Sequence, residues 1–497
     1  MTETKFAIKE NMTSAVYDVA DVSPLLRAPI LSERSGNEIW LKREDLQPVN
    51  SFKLRGAYNK MVSLSAETLA KGVVAASAGN HAQGVALAAK KLGINATIVV
   101  PRTAPQIKQD AINRHGAELV LAGDTYEEAY AHALKLASEH GQELIHPYDD
   151  PLVIAGQGTI GTEIDEQHHS KIDAVFVPVG GGGLLAGIAL ELKRRRPEIK
   201  IIGVEPTDSD AMKQSIAKGY RVKLDHVGAL ADGVAVKQVG ELTFEICREW
   251  VDEFITVTPD EICAAVKDIF EDSRAILEPS GALAYAGIAK YGGKNQTYIA
   301  ICTGANLNFE RLRYISERAE LGGHREAIFA IHIPEKPGEF RKLCQAIGGR
   351  SITEFNYRMN DPNQATVFVG VRITSEDDKQ EILSRLFDAV DLSDDELAKT
   401  HVRHMVGGRS PHAKGEKLVL FDFPERAGAL STFLECLADN WNISLFHYRN
   451  SGGDQGKVLA GFQVPTADQS RFDTFCAELG YPYRQVSDSP AARFFLE

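Results

Sequence analysis

Short apolar runs alternate with helical patterns between about residues 70 and 310 of this chain, and that alternation constrains its fold most strongly. The runs are rich in Val, Ile and Ala and lie at residues 72–76, 96–100, 118–121, 174–179, 201–204 and 298–302. Continuous apolar strands separated by helices need cover on both faces, so the pattern predicts parallel sheets in an α/β body. We expect this body to have two lobes with a cleft between them.

After Arg325 the pattern changes to a unit that occurs twice. Residues 327–333 run into Pro334-Glu335-Lys336-Pro337-Gly338, and residues 418–423 run into Pro424-Glu425-Arg426-Ala427-Gly428. Each unit continues with a helix, two strands, a helix and a short strand, which is the β-α-β-β-α-β order of a ferredoxin-like domain. Residues 407–415 form a turn-rich linker. We therefore predict domains at 1–322, 327–400 and 417–488.

The composition excludes several classes of protein. The 497 residues carry a formal net charge of -13, so nucleic acid is not the expected partner, because phosphate binding needs a basic face. No apolar run is long enough for a membrane span, and the N-terminus lacks a signal-peptide pattern. Six scattered cysteines without a Cys-x-x-Cys pair predict a reduced, cytoplasmic protein without a zinc site.

Two motifs have the chemistry of a phosphorylated aldehyde cofactor. Lys53 lies directly behind Phe52 near the start of an amphipathic helix, a good place for a Schiff base. The glycine run 180–183 follows the strand at 174–179 and precedes a helix that opens at Leu184. Such a run presents backbone N–H groups and a positive helix end to a phosphate.

Two further motifs complete the candidate site. The turn Ser77-Ala78-Gly79-Asn80-His81 joins a strand to a helix start and is expected to bind the substrate carboxylate, with an Asn80 amide that can donate to a phenolate oxygen. The alternative for Ser77 is a helix N-cap, and His81 is expected to shape the turn more than to catalyse. Thr303, in Thr303-Gly304-Ala305-Asn306, adds a hydroxyl after a strand. Together the motifs predict a site for pyridoxal phosphate (PLP).

These motifs resemble those of fold-type II PLP enzymes, the tryptophan synthase β-like group, and within it the threonine dehydratases. The resemblance covers about residues 15–320. The repeats beyond it resemble paired ACT-like regulatory domains. The segments that carry the likeness are Lys42-Arg43-Glu44-Asp45, Ser51–Ala57, Ser77–Ala82, Glu278-Pro279-Ser280-Gly281-Ala282 and Thr303–Phe309.

The resemblance implies a role for each matched residue. Lys53 would be the catalytic lysine that holds the cofactor covalently, and Thr303 would face its pyridine nitrogen. A hydroxyl cannot hold that nitrogen protonated, and the weaker electron sink suits β-elimination. The remaining cofactor contacts would come from Phe52, Asn80, Gly180, Gly181, Gly182, Gly183 and Leu184.

The resemblance also implies the reaction and its control. L-Threonine would be dehydrated and deaminated to 2-oxobutanoate and ammonia, as the first committed step towards isoleucine. Isoleucine would inhibit this step, valine would oppose the inhibition, and the enzyme would be a homotetramer. Tyr357 and Tyr448 recur at matching places in the two repeats and are candidate effector contacts, although both could simply fill the sheet packing.

Two departures from related enzymes narrow this interpretation. Serine racemases of this fold carry a serine where this chain has Ala78, so we expect no racemisation. Relatives that bind a divalent cation use a Glu and an Asp six residues on, but here Glu205 is followed at that spacing by Ala211, so we expect no metal. Two alternatives stay open: a serine-preferring dehydratase of the same fold, and an amino-acid-sensing binding protein. The motifs do not show which acid protonates the leaving hydroxyl.

Overall fold

The computed structural model describes residues 14–104, 106–408, 410–424, 428–437, 440–449, 455–489, 492 and 496. These residues separate into two compact units, 1–322 and 323–497. Residues 1–13, where the first domain is predicted to begin, lie outside the described residues. So do Arg409 of the predicted linker and Glu425, Arg426 and Ala427 of the second repeat.

The first unit combines helices with two sheets, and its elements follow the chain. The helices are α1 Pro29–Ser35, α2 Lys53–Val62, α3 Ala66–Lys71, α4 Asn80–Leu92, α5 Gln106–Asn113, α6 Tyr126–His140, α7 Pro151–Gln167, α8 Gly183–Arg195, α9 Ala211–Lys218, α10 Glu241–Trp250, α11 Pro259–Ser273, α12 Pro279–Tyr291 and α13 Arg311–Gly322. The strands are β1 Leu25–Arg27, β2 Glu38–Arg43, β3 Val73–Ala76, β4 Ala96–Val100, β5 Glu118–Leu121, β6 Glu143–Leu144, β7 Ala174–Pro178, β8 Lys200–Pro206, β9 Glu253–Val257 and β10 Thr297–Cys302.

The two sheets of this unit are almost entirely parallel. The six-stranded sheet has the order β1-β2-β10-β7-β8-β9, with only β1 antiparallel to its neighbour. The four-stranded sheet has the order β5-β4-β3-β6 and is parallel throughout. This arrangement confirms the predicted α/β body with its two lobes.

Burial explains why the central strands read as continuous apolar runs. Every residue of β3, β4 and β7 is buried, because helices cover both faces of each sheet. The predicted helix after β3 is α4, and Gly93 ends it in the left-handed conformation, with φ of 68°. Strands β1, β2, β6 and β9 were not predicted. Most residues of β1, β6 and β9 are only half-buried or exposed, which hides the apolar signal.

The second unit contains the two repeats in one antiparallel sheet. Its strands are β11 Glu326–Pro334, β12 Ile352–Arg358, β13 Gln364–Arg372, β14 Ala389–Asp391, β15 Glu416–Pro424, β16 Asn442–Arg449, β17 Gln455–Gln463 and β18 Tyr483–Gln485. Its helices are α14 Glu339–Ile347, α15 Glu376–Arg385, α16 Glu396–Thr400, α17 Ala429–Leu437 and α18 Gln469–Glu478.

Each repeat has the predicted ferredoxin-like order. The eight-stranded sheet runs β14-β11-β13-β12-β16-β17-β15-β18, so the repeats meet edge to edge at β12 and β16. These two strands are antiparallel, with Asn356 opposite His447, Tyr357 opposite Phe446 and Phe355 opposite Tyr448. The sheet is therefore continuous across both repeats. The predicted limits of the two regulatory domains, 327–400 and 417–488, remain predictions.

No helix within the described ranges is long and apolar enough to cross a membrane.

Candidate cofactor site

A cavity of about 450 Å³ lies in the first unit where the carboxyl ends of β7 and β10 meet the starts of α2, α4 and α8. Ligands of open α/β sheets bind at this end of the strands. The structure brings Lys53, Phe52, Asn80, Thr303 and the whole glycine run together there. The cavity is lined by Phe52, Lys53, Asn80, Tyr148, Pro178, Gly180, Gly181, Gly182, Gly183, Leu184, Gly233, Val234, Glu278, Ser280 and Thr303.

Lys53 begins α2, and the segment before it is pinned to the end of β10. The Phe52 amide donates to the Thr303 carbonyl at 3.3 Å, and Ser51 bridges Gly304. The Lys53 amine donates to the Pro147 carbonyl at 3.0 Å. Burial lowers the pKa of this amine to about 8, although the Glu278 carboxylate opposes the shift. A lysine near this value holds a useful neutral fraction at neutral pH, as a nucleophile or base requires.

A buried group of charges holds α2 from behind. Arg55, two residues after Lys53, is fully buried and donates to Glu44 at 2.8 Å and to Glu163 at 2.5 Å. Lys42 is buried as well and donates to Glu163 at 2.6 Å. Two cations therefore balance two carboxylates. Because loss of one partner leaves a buried charge uncompensated, the group fixes the position of α2 strongly.

The glycine run forms the turn between β7 and α8. Gly182 precedes α8 with φ of 96°, a conformation that favours glycine. The first amides of α8 have no partner inside the helix and face the cavity end of the strand, which is the geometry of an anion site. The Thr243 hydroxyl donates to the Gly181 carbonyl at 2.7 Å and so helps to fix the turn.

Tyr148 lies against the glycine run and was not predicted as a site residue. A Cβ added to Gly181 would lie 2.3 Å from the Tyr148 ring, and one on Gly183 would lie 2.9 Å from Tyr148 backbone and side-chain atoms. The phenol donates to the Gln238 carbonyl at 3.3 Å. Protein packing against Tyr148 therefore requires glycine at Gly181 and Gly183.

Asn80 meets a buried carboxylate, Glu278, that was also not predicted, and Thr303 contacts the neighbouring Ser280. The Asn80 amide donates to Glu278 Oε1 at 2.7 Å, and the Ser280 hydroxyl donates to the same oxygen at 2.8 Å. The Thr303 hydroxyl donates to the Ser280 carbonyl at 3.1 Å. Burial raises the pKa of Glu278. The motif 278–282 was visible in the sequence, but its residues had no assigned role.

Residues 77–80 of the turn 77–81 are half-buried. Ser77 at its start and His81 at its end make different contacts. Ser77 Oγ accepts from the Gly79 amide at 3.2 Å, so this hydroxyl stabilises the turn itself. His81 is buried, and its Nε2 lies 2.8 Å from the Ile145 carbonyl. Burial lowers the pKa of His81 to about 3, so the neutral ring donates to that carbonyl. Ala78 packs against the hydrophobic core that includes residues of β3 and β4. Substrate contacts by Ser77, Ala78, Gly79 and His81 stay predictions.

A second cavity, of about 890 Å³, lies within the second unit. Its walls are both apolar and polar, include Arg350 and Arg372, and have Tyr448 in the lining. Tyr357 is not in that lining, and its hydroxyl donates to Glu335 instead. The lining residues are Cys344, Ile347, Gly349, Arg350, Ser351, Ile352, Thr353, Arg372, Phe423, Pro424, Gly428, Ala429, Leu430, Ser431, Phe446 and Tyr448.

Comparison with known families and proteins agrees with this geometry. Residues 17–304 match the profile of the pyridoxal-phosphate dependent enzymes, and residues 317–402 and 407–496 each match the C-terminal regulatory domain of threonine dehydratase. The chain is 54% identical to the biosynthetic L-threonine dehydratase of Burkholderia multivorans over 98% of this chain and 99% of the other. It is 50% identical to the Escherichia coli enzyme of the same name, over 98% and 96%.

The chain belongs to the biosynthetic threonine dehydratases, a family of PLP-dependent enzymes. Solved structures of the first unit's fold support this placement. The processed form of threonine deaminase isoform 2 from Solanum lycopersicum is 53% identical, with a TM-score of 0.60, and the match covers 62% of this chain and 85% of that one. Maize serine racemase is 33% identical, with a TM-score of 0.59, over 63% and 97%.

The residues of the first cavity fit the cofactor of this family. Lys53 supplies an amine whose pKa burial has lowered, and the amides of the turn before Leu184 supply an anion cradle. A Cβ on Gly181 or Gly183 would collide with Tyr148, and one on Gly180 would be crowded by Val234, so the cradle is narrow. PLP, which combines an aldehyde with a phosphate, needs both of these features.

Proposed function

We propose that this chain is a PLP-dependent threonine ammonia-lyase that converts L-threonine to 2-oxobutanoate and ammonia. The observation that carries the proposal is the Lys53 amine, with a pKa lowered to about 8, in one cavity with the glycine run. The family and the named activity of relatives at 50–54% identity over nearly the full chain support the substrate.

When bound, PLP withdraws electrons from Cα of an amino acid, which makes loss of the α-proton and of a β-substituent possible. Lys53 would hold the cofactor and, once released, take the α-proton, because one buried amine serves as tether and base. Asn80 would donate to the anionic ring oxygen. The amides from Gly180 to Leu184 would bind the phosphate, and the Thr303 hydroxyl would face the ring nitrogen.

Steady-state kinetics on threonine and serine test this proposal. We expect a higher kcat/KM for threonine, with 2-oxobutanoate as product, and a cofactor absorbance band that Lys53→Ala loses. A preference for serine would support the alternative dehydratase. A purified chain without the absorbance band and without turnover would leave the amino-acid sensor as the better interpretation.

We further propose that the reaction needs no divalent cation and produces no D-amino acid. The Glu205 carboxylate, which could have been a cation ligand, accepts from the Met212 and Lys213 amides at 2.9 and 2.8 Å. Ala78 has a methyl group and cannot donate a proton on the far face. EDTA should leave the rate unchanged and chiral analysis should find no D-threonine; a magnesium-dependent rate or racemised substrate would contradict these two expectations.

Regulation is the role we propose for the second unit. Its cavity joins apolar residues such as Ile347 and Leu430 to Arg372 and to Arg350, whose guanidinium also pairs with Asp378 and Glu381. This chemistry suits a small apolar amino acid, whose carboxylate pairs with a cation while its side chain is buried. Isoleucine as inhibitor and valine as its opponent are the effectors that we propose, with Tyr448 as a contact.

Truncation after Gly322 tests whether the effector site lies in the second unit. If the shortened chain stays active, isoleucine should no longer inhibit it. In the full chain, isoleucine should lower the affinity for threonine by about 5- to 150-fold, the usual range of allosteric coupling. An active truncated enzyme that isoleucine still inhibits would place the effector site in the first unit.

A cytoplasmic homotetramer is the assembly that we propose by likeness to the family. Light scattering of the purified chain measures the mass directly. The cysteines are free, which fits a reducing compartment. Cys436 is exposed, and the buried ones are Cys247, Cys263, Cys302, Cys344 and Cys476.

A further inference from the structure

A run of hydrogen bonds crosses the first cavity's edge from a backbone carbonyl to a buried carboxylate. Asn306 Nδ2 donates to the Val49 carbonyl at 2.8 Å and to Asn80 Oδ1 at 2.8 Å. Asn80 Nδ2 then donates to Glu278 Oε1 at 2.7 Å. Asn306 belongs to the motif 303–306, but neither the sequence nor the proposed reaction gives it a role.

The two ends of this run determine its direction. The Val49 carbonyl can only accept, so Asn306 must turn its NH2 group towards it and towards Asn80. Asn80 must therefore present its oxygen to Asn306 and its NH2 group to Glu278 Oε1, which accepts from it. One N–H of Asn80 is used by Glu278, and the amide as a whole lines the cavity. The second N–H remains for a ligand.

The fold makes room for Glu278 at this place. A Cβ added to Gly304 would lie 2.8 Å from Glu278 Oε1, so the glycine of the motif 303–306 leaves space for the carboxylate. Ser280 donates to the same oxygen, and Glu278 is 5% exposed. A buried carboxylate needs such partners, because an ionised group without them is costly to bury.

We propose that Glu278 and Asn306 are positioning residues that hold the Asn80 amide in the one orientation that offers an N–H to the cavity. The inference rests on the proposed PLP site. An unclamped asparagine can flip, and it would then present its carbonyl oxygen to the anionic oxygen of the cofactor ring. Affinity for the cofactor would fall although Asn80 itself is unchanged.

The test is titration of the full-length apoenzyme with PLP, followed by the absorbance of the bound cofactor, which involves no threonine. Asn80→Ala, Glu278→Ala and Asn306→Ala should each weaken affinity by about 10- to 100-fold, the usual effect of losing a buried hydrogen bond to a charged group. Glu278→Gln should stay within about threefold of the parent, because its amide oxygen can still accept from Asn80 and Ser280.

Double variants separate positioning from general destabilisation. If Glu278 acts through Asn80, the pair Asn80→Ala and Glu278→Ala should cost little more than either change alone, because the second removal has nothing left to orient. Glu205→Gln is the matched control, since Glu205 is equally buried but lies outside the cavity lining. Its PLP affinity should match that of the parent, whatever its melting temperature.

Several results would overturn the inference. These are additive losses in the double variant, a folded Glu278→Ala or Asn306→Ala variant with parental affinity, and a Glu278→Gln variant as weak as Glu278→Ala. Asn306 is half-buried, so Asn306→Ala keeps the test available if Glu278→Ala does not fold. Failure of the parent apoenzyme to bind PLP would instead contradict the proposed function.

Discussion

The cavity of the first unit and the cavity of the second unit are built from different parts of the chain. The first lies at strand ends and helix starts, and backbone groups of the glycine run form one wall. Buried charges around Arg55 hold its lysine-bearing helix in place. The second cavity is lined mostly by side chains of both repeats, including Arg350 and Tyr448.

This difference matches the two roles that we propose, a site for chemistry and a site for recognition. A phosphate can be bound by N–H groups alone, so the first cavity depends on where the backbone runs and tolerates few side chains. An effector must be distinguished from similar amino acids, and side chains provide that discrimination. We therefore expect changes in the first cavity to affect the reaction by orders of magnitude, and changes in the second to shift a response moderately.

The largest effect should come from Lys53→Ala. Loss of the tether and of the base should lower kcat by about 10²–10⁴-fold or more, while PLP can still bind non-covalently to the glycine run. The measurement is 2-oxobutanoate formation alongside cofactor content. Near-normal turnover without added amine would falsify the assignment of Lys53.

Sequence patterns predicted the residues of the first cavity far better than those of the second. Lys53, Asn80, Thr303 and the glycine run all lie in the first cavity, because each stands directly after a strand or at a helix start, where local patterns are informative. Glu278 and Tyr148 were missed. Their place in the site depends on long-range packing: Glu278 reaches Asn80, and Tyr148 reaches Gly181.

The second cavity shows a different limit of sequence analysis. Tyr357 and Tyr448 occupy equivalent positions in the two repeats, so the repeat pattern could not distinguish them. Their surroundings follow from the pairing of β12 with β16, which sets Tyr448 opposite Phe355 and Tyr357 opposite Phe446. Only that pairing reveals that Tyr448 lines the cavity while the Tyr357 hydroxyl bonds Glu335.

A methyl group at Gly181 should have the next largest effect. The added Cβ would lie 2.3 Å from the Tyr148 ring. Overpacking of this kind costs about 1–3 kcal/mol, which corresponds to about 5- to 150-fold in PLP affinity if the cradle moves. Titration of the apoenzyme measures it.

The matched control for Gly181→Ala is Gly408→Ala, because a Cβ on Gly408 would meet nothing within 4 Å. A second change, Tyr148→Ala, should restore part of the affinity lost in Gly181→Ala by removing the clashing ring. If Gly181→Ala binds PLP like the parent, the narrow cradle is not what holds the phosphate.

Capture of PLP by the apoenzyme should depend on pH through Lys53. Burial lowers the pKa of the amine to about 8, so its neutral form increases about tenfold per pH unit below that value and levels off above it. The rate of covalent capture, followed by absorbance between pH 6 and 10, should show the same midpoint. His81, which also faces Lys53, stays neutral over this range because its pKa is about 3.

The contrary outcome for this pH profile is a midpoint near the ordinary lysine value of about 10.4. It would show that the amine is solvated before the cofactor arrives. Glu278→Gln should move the midpoint to lower pH, because the carboxylate opposes the effect of burial on Lys53.

The smallest effect should come from the hydroxyl groups of the two matched tyrosines. Tyr448→Phe removes the hydroxyl of a residue that lines the second cavity, and if this hydroxyl contacts the effector as proposed, isoleucine inhibition should weaken by about 2- to 12-fold, the usual worth of a single hydrogen bond. Tyr357→Phe removes the bond to Glu335 and should lower stability by about 1 kcal/mol, with inhibition changed by less than about twofold. Inhibition curves and thermal melts of both variants measure the difference. Equal losses of inhibition would mean that both repeats contact the effector, and the contrast between the two tyrosines drawn from the cavity lining would be wrong.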